Sequence, residues 1–193
     1  KKTTQTHIHE YTYDDNLLVK EKITNKSNNQ VVVLEYIYDQ QNILIGVVEN
    51  NNVYYYDKDI TGNILGLVDK NGYYVVKYTY DAWGNVLEKQ ILVNSIAAQY
   101  NPFIYKGYYY DVETQLYWVS SRYYSPELCR WISPDSIEYL DPESINGLNL
   151  YAYCGNDPVN KYDPSGHFVI TATIGLSTAA YYAIIALLAV TAV

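Results

Sequence analysis

The sequence predicts an all-β protein, an array of antiparallel β-hairpins. Tyrosine dominates the aromatic residues, with 25 Tyr against 2 Phe. Tyrosine suits the surface of a strand, because its ring packs across the pleat while its hydroxyl reaches water or a backbone partner. The dipeptide Tyr-Asp also recurs along the chain, each time between two apolar stretches typical of strands. Because a lone hairpin cannot bury its apolar face, we expect the hairpins to lie side by side.

Each Tyr-Asp pair ends a strand rich in Tyr, Val and Ile, and in two units Gly-Asn follows it. An aspartate at the start of a turn can accept hydrogen bonds from backbone amides ahead of it, and glycine supplies the positive φ of a tight reversal. We therefore predict a turn after each pair. The motif residues that we expect to be structural are Tyr56, Asp57, Tyr80, Asp81, Gly84, Asn85, Tyr110 and Asp111.

Composition excludes several functional classes. The net charge is -8 and the 13 basic residues are scattered, so no nucleic-acid partner is expected. Cys129 and Cys154 are expected to be free, packed thiols. The histidines, His7, His9 and His167, have no metal-ligand spacing, so we predict neither a metal nor a cofactor. The chain has no methionine, which indicates an internal segment of a longer product.

Two stretches carry a resemblance to a known family. The stretch "YDAWGNVLEKQ", from Tyr80, is similar to the consensus of the YD repeat, also called the RHS repeat. Residues 105–167 resemble the RHS repeat-associated core domain, with the motifs "YDVETQLY", "RYYSP", "RWISPD", "GLNLYAY", "NDP" and "DPSG". The chain is therefore identified as a member of the RHS/YD-repeat family, which includes polymorphic toxins and the teneurins.

The resemblance implies a specific organisation. In this family the repeats form a curved shell or cocoon, the core domain closes one end, and a variable C-terminal toxin follows the boundary motif. We accordingly expect YD repeats over residues 1–102, the RHS core domain over 103–167, and the start of the variable region over 168–193.

The resemblance implies a polymorphic toxin of bacterial competition that encapsulates and delivers a C-terminal effector. Its expected partners are its own C-terminal toxin region, an immunity protein and secretion machinery, and its expected location is secreted or on the surface of a bacterium. The alternative is a cell-surface or wall-associated adhesion or carbohydrate-binding module, since sugars stack on aromatic side chains.

Some members of the family cut themselves after the boundary motif with a pair of aspartates. These fall on Asp135 and Asp163 here, with the boundary at Gly166 and His167. Two neighbouring carboxylates share a proton, so one can activate water while the other donates to the scissile amide. Arg130 and Arg122 lie in the same block, and their positive charges would influence the protonation of such a pair.

The sequence departs from the family pattern at two places. Asp135 is followed by Ser136 where the pattern has proline, and His167 stands where the cleaved form usually ends in leucine. Two alternatives to an aspartate pair therefore remain. Either the aspartates only cap turns, or one of the cysteines acts as the nucleophile with His167 as its base.

The last 26 residues, 168–193, contain no charged side chain. Such a stretch is long enough to cross a hydrocarbon layer as a helix. We predict a hydrophobic helical tail that inserts into a target membrane, with an apolar segment packed inside the shell as the alternative.

Overall fold

The computed structural model describes residues 1–139, 142–143, 147–167 and 169–171. Its main element is a nine-stranded antiparallel sheet in which each strand pairs with the next along the chain. The strands are β1 (Lys2–Thr3), β2 (His7–Asp14), β3 (Leu17–Asn25), β4 (Val31–Tyr38), β5 (Leu44–Glu49), β6 (Asn52–Lys58), β7 (Ile64–Val68), β8 (Tyr74–Tyr80) and β9 (Val86–Ile91).

Alternation of side chains gives this sheet one buried face. In β4, Val32, Leu34 and Tyr36 are buried, whereas Val31 and Glu35, at alternate positions, are exposed. Successive side chains of a strand point to opposite faces, so a period of two buries one face and leaves the other in water. The strand pattern predicted from the sequence has this physical origin.

Four loops of the sheet share one turn, which an aspartate organises. The aspartate Oδ1 accepts the backbone N–H groups of the residues two and four positions ahead, at 2.8–3.0 Å. The residue three positions ahead has a positive φ, which glycine and asparagine tolerate best. The aspartates are Asp39, Asp59, Asp69 and Asp81, and the positive-φ residues are Asn42, Gly62, Gly72 and Gly84.

In the third unit, the turn begins two residues later than the sequence analysis placed it. Asp57 lies inside β6 opposite Gly66, where it accepts the hydroxyl of Tyr74. Asp59 organises the turn instead, because it stands three residues before Gly62, the spacing that the turn requires.

After β9, the chain folds back over the buried face of the sheet. A short helix, α1 (Ile96–Tyr100), is capped by Ser95, whose side chain accepts the N–H of Ala98. Glu49 of β5 accepts the N–H of Ala97 at 2.7 Å, and the hydroxyl of Tyr56 donates to Asn101 at 2.7 Å. The expected border at residues 102/103 thus falls within a segment packed against the sheet.

A second antiparallel sheet of four strands follows: β10 (Tyr109–Asp111), β11 (Leu116–Val119), β12 (Arg122–Ser125) and β13 (Arg130–Trp131). Its buried rings, together with Tyr105, meet the turn that Asp81 organises. Three hydroxyls donate to carbonyl oxygens of this turn at 2.7–3.0 Å: those of Tyr105, Tyr117 and Tyr124. Both sheets consequently share one hydrophobic core.

The last described elements form a small hairpin, β14 (Lys161–Tyr162) and β15 (Ile170–Thr171). Part of the tail, predicted to be helical, is therefore extended at Ile170–Thr171. Residue 168 and residues 172–193 lie outside the described residues, and with them most of the predicted membrane-inserting tail. Among the described residues, no helix is long and apolar enough to cross a membrane.

Candidate functional site

The candidate site lies where residues 163–167, called the boundary segment here, cross the second sheet. Arg122 begins β12 with its side chain only 6% exposed, and its guanidinium lies over the ring of Trp131, 4.2 Å from the ring centroid. Asp135 follows β13, and its backbone N–H donates to the carbonyl of Leu150 at 3.0 Å. The same β-sheet alternation that buries Tyr124 thus buries Arg122.

Arg122 connects three parts of the chain. Its Nη2 forms an ion pair with Asp135 Oδ2 at 2.6 Å, and its Nη1 donates to the carbonyl of Leu150 at 3.1 Å. Its Nε donates to the carbonyl oxygen of Gly166. Burial lowers the pKa of Arg122, while the charges of Asp135 and Asp163 oppose this shift. A guanidinium remains protonated at all working pH values, so it is a fixed positive charge at the boundary.

Asp163 organises the boundary segment. Its Oδ1 accepts the backbone N–H groups of Ser165, Gly166 and His167 at 3.1, 2.8 and 3.2 Å. The residue is 1% exposed, and burial raises the pKa of its carboxyl, although these N–H groups and Arg122 favour the ionised form. Asp163 consequently keeps its proton to higher pH than an ordinary aspartate.

His167 contacts both candidate aspartates. Its ring Nδ1 lies 2.6 Å from Asp135 Oδ1, and its backbone N–H donates to Asp163 Oδ1. The N–H of Ser136 also donates to Asp135 Oδ1, at 2.8 Å. The structure therefore brings the aspartates to the two sides of one residue.

At Gly166 the backbone lies close against the turn between β11 and β12. Its φ is +83°, and a Cβ placed there would lie 2.8 Å from the carbonyl oxygen of Val119 and closer still to Ser121 Oγ. Only glycine fits this position. The Gly166 carbonyl is held by Arg122, and the His167 nitrogen that follows it is held by Asp163.

Arg122, rather than Arg130, contacts the candidate aspartate Asp135. The Arg130 guanidinium lies 4.2 Å from the ring centroid of Tyr151, and within the described residues it forms no ion pair. The sequence did contain the relevant signal, since Arg122 alternates with Tyr123 in a strand whose buried face includes Tyr124.

The remaining motif residues support the fold. The Tyr80 hydroxyl donates to the carbonyl of Ile64 at 2.7 Å, and the ring of Tyr110 packs on that of Tyr117 with centroids 4.8 Å apart. Asp111 pairs with Lys2 at 2.6 Å and accepts the N–H of Glu113 at 3.1 Å.

The cysteines do not join the site. Both are free thiols, and burial raises the pKa of Cys154 to about 12, so its thiolate is suppressed near neutral pH. His7 and His9 line one face of β2, where His9 Nδ1 lies 2.7 Å from the carboxylate of Glu21. Within the described ranges, no group of three or more His, Cys, Asp or Glu residues could hold a metal ion.

Comparison with known proteins identifies the family. The family model described as teneurin YD-shell matches residues 1–159. The chain belongs to the teneurin YD-shell family. The RHS/YD-repeat family and the all-β antiparallel fold predicted from the sequence are thereby confirmed.

Bacterial and animal proteins are among the relatives. The tRNA nuclease WapA of Bacillus subtilis (strain 168) is 36% identical over 169 residues, 88% of this chain and 7% of that protein. The toxin protein Tse5 of Pseudomonas aeruginosa is 33% identical over 121 residues, 63% of this chain and 8% of that protein. Teneurin-m of Drosophila melanogaster is 25% identical over 137 residues, 70% of this chain and 5% of that protein.

A solved structure agrees with this fold. The Tc holotoxin pore of Photorhabdus luminescens matches with a TM-score of 0.70 and 22% identity, over 91% of this chain and 8% of that chain. The chain thus spans less than a tenth of the length of these relatives. It is an RHS/YD-shell protein whose relatives include toxins.

Proposed function

We propose that this chain is the C-terminal part of an RHS-repeat polymorphic toxin, whose shell encloses and delivers a C-terminal effector. The similarity to a tRNA nuclease and to a toxin protein supports this assignment. Its partners are then the protein's own toxin region, an immunity protein and secretion machinery, with a target membrane as a further partner of residues 168–193. Such a protein acts after secretion or at the surface of a bacterium.

We further propose that the protein cuts itself at the Gly166-His167 peptide bond, one bond before the position at which the cleaved form of the family usually ends. One observation carries this proposal: buried, ionisable side chains hold both ends of this peptide group. Arg122 Nε donates to its carbonyl oxygen, and Asp163 Oδ1 accepts from its nitrogen. Each group stands where the hydrolysis of an amide needs it.

The chemistry follows from these contacts. The guanidinium of Arg122 stabilises the negative charge that develops on the Gly166 oxygen when water adds to the carbonyl carbon. Because burial raises the pKa of Asp163, this carboxyl can carry the proton that the departing His167 nitrogen needs. The products are a carboxyl group on Gly166 and an amine on His167.

Intact mass spectrometry of the natural full-length protein tests the cut. We expect two fragments that meet between Gly166 and His167 in the wild type, and a single mass in Asp135→Asn and in Asp163→Asn. Asp69→Asn is the matched control, since Asp69 organises an exposed turn of the first sheet, and it should be cut like the wild type. A single uncut mass for the wild type would refute the cleavage.

An adhesion module that binds carbohydrate is the second candidate, and an exposed aromatic pair favours it. Trp118 and Tyr123 face each other across β11 and β12, 39% and 41% exposed, with ring centroids 4.8 Å apart. A glycan-array signal that Trp118→Ala removes, in a full-length protein without a downstream toxin, would favour adhesion over toxin delivery.

A further inference from the structure

We propose that a cavity between the first sheet and α1 binds a small ligand with a primary ammonium group and several hydroxyl groups, an amino sugar by chemical class. The volume of the cavity is about 340 Å³. Sites for small molecules usually have volumes from about 300 Å³ upward. A site of this kind goes beyond the proposed delivery of an effector and does not depend on self-cleavage.

The cavity lies between the buried face of the first sheet and the segment that folds back over it. Ile23, Val32 and Glu49 line it from β3, β4 and β5, and all three are buried. Side chains of α1 and of the two residues before it also line the cavity. Gln30 and Asn94, two further lining residues, are exposed. A small molecule can therefore enter from solvent and reach side chains of the buried face.

Glu49 brings a carboxylate into this cavity without a matching cation. The residue is 7% exposed, and its Oε2 accepts the N–H of Ala97 at 2.7 Å. Within the part of the chain that the structure describes, Oε1 accepts no hydrogen bond and Glu49 forms no ion pair. Buried carboxylates are usually paired with a cation or satisfied by several donors, because an unpaired charge is costly away from water. A ligand with a positive charge would supply the missing partner.

Glu21 of β3 shows how the same sheet satisfies a buried carboxylate. Its Oε1 lies 2.7 Å from His9 Nδ1 and 3.1 Å from the hydroxyl of Tyr109, and its Oε2 accepts the hydroxyl of Tyr36 at 3.0 Å. Both oxygens of Glu21 therefore have partners within the protein. Glu49 is also buried, but among the described residues only the Ala97 N–H donates to it.

The neutral lining residues suit the rest of such a ligand. Asn25, Gln30 and Gln99 line the cavity with side-chain amides, which can donate to and accept from the hydroxyl groups of a ligand. The ring of Tyr100 lines it as well, and the face of an aromatic ring attracts an ammonium group. None of the described residues that line the cavity is Lys or Arg. An anionic ligand would therefore meet the carboxylate of Glu49 without a lysine or arginine to offset it.

Amide hydrogen exchange of the natural full-length protein tests the site, with glucosamine as the probe at a slightly acidic pH that keeps its amino group protonated. Glucose is the matched control ligand, because it carries a hydroxyl where glucosamine carries the ammonium group. We expect glucosamine to slow exchange in residues 25–30 and 94–100 in a saturable manner. Glucose should bind at least about 10-fold more weakly, since hydrogen bonds to charged groups are stronger than those between neutral groups.

Two variants test the part of Glu49. Glu49→Gln keeps an oxygen for the N–H of Ala97 and removes the charge, so it should weaken glucosamine binding about 10-fold or more. Glu35→Gln is the control, because Glu35 pairs with Lys20 on the exposed face of the sheet, with its side chain 50% exposed. This variant loses the same charge outside the cavity and should bind glucosamine with the wild-type affinity. The melting temperature of each variant shows whether it is folded.

Each outcome supports or overturns the site. Equal protection by glucosamine and glucose overturns the assignment of an ammonium ligand. Unchanged glucosamine binding in a folded Glu49→Gln variant overturns it too. If that variant does not fold, the comparison of the two sugars on the wild type still decides. If glucosamine protects neither segment of the wild type, the cavity is not an amino-sugar site, and the proposed toxin delivery and self-cleavage are unaffected.

Discussion

Gly72 and Gly84 occupy the same position of the same turn and differ only in their surroundings. Their φ values are +83° and +90°, but a Cβ at Gly72 would meet nothing within 4 Å, whereas a Cβ at Gly84 would lie 2.6–2.8 Å from the ring of Tyr105. Valine at either position is strained by about 1–3 kcal/mol. At Gly84 it must also displace the ring, at a further cost of about 1–3 kcal/mol.

We therefore predict that Gly84→Val lowers the free energy of unfolding by more than Gly72→Val does. Urea titration of both variants measures the difference. Gly72→Val serves as the control for the backbone strain that a positive φ imposes on valine. Equal losses would mean that the Tyr105 ring does not pack against the turn.

Asp163 makes the stability of the folded protein depend on pH, and the direction of its pKa shift gives the sign of that dependence. Burial raises the pKa of this carboxyl, so the folded state binds its proton more tightly than the unfolded chain, in which aspartate titrates near about 3.9. This tighter binding of the proton stabilises the folded state. The stabilisation is complete below that pH and is lost as the pH rises through the higher pKa of the folded state. Asp163→Asn removes the charge and keeps an oxygen for the three N–H donors.

In an Asp135→Asn background, which we expect to be uncut, the protein that also carries Asp163→Asn should unfold at a higher urea concentration at pH 7 than the protein that keeps Asp163. The two midpoints should converge below about pH 4, where the aspartate is protonated in both states. If Asp163→Asn were instead less stable than the protein that keeps Asp163 at neutral pH, the ionised carboxylate would stabilise the turn.

At this scale, the sequence identified residue types better than it identified partners. Both aspartates of the boundary could be selected as candidates because their motifs are local. Asp59 was not separated from Asp57, because that choice depends on where β6 ends and its turn begins. Arg122 was not separated from Arg130, because that choice depends on which face of a strand a side chain occupies. Strand register fixes that face, and register comes from pairing with residues far along the chain.

At the scale of elements, the hydroxyl of Tyr108 connects the hairpin of β14 and β15 to the core. Tyr108 donates to the carbonyl of Asp163 at 2.7 Å and accepts its N–H at 3.1 Å, and its hydroxyl lies 3.2 Å from that of Tyr153. Tyr108 and Asp163 are both buried, so each lost partner would leave a polar backbone group unsatisfied.

Tyr108→Phe should therefore lower the free energy of unfolding by about 1–3 kcal/mol and speed amide hydrogen exchange across residues 161–167. Tyr123→Phe, at a residue 41% exposed, is the matched control and should change neither quantity. Unchanged exchange in the Tyr108 variant would mean that β14 and β15 hold the hairpin without this hydroxyl.

The hairpins could be predicted from the sequence because each depends on neighbouring residues, a Tyr-rich strand and an Asp-organised turn. The packing of residues 96–110 over the sheet could not, since it rests on contacts between distant residues. Examples are Glu49 with Ala97 and Tyr36 with Phe103, whose ring centroids are 4.9 Å apart. No local pattern in the chain encodes these pairs.

At the scale of the whole molecule, tyrosines share the hydrophobic core with aliphatic residues. Burial raises the pKa of Tyr78 to about 12 and raises the pKa of four further tyrosines well above the usual value: Tyr36, Tyr56, Tyr108 and Tyr153. These residues belong to one hydrophobic core that joins both sheets. Ionisation of any one of them would place a charge in that core, which favours unfolding over local adjustment.

Alkaline unfolding should therefore be cooperative. Each buried phenol stabilises the fold fully below the unfolded pKa of about 10, and this stabilisation is lost as the pH rises toward the folded values. We predict that phenolate absorbance of the buried tyrosines and loss of the β-sheet circular dichroism signal rise together, in one transition above about pH 10. If the sheet signal persisted while these phenols ionised, solvent would have to reach the core of the folded protein, and the two sheets would not share a closed interior.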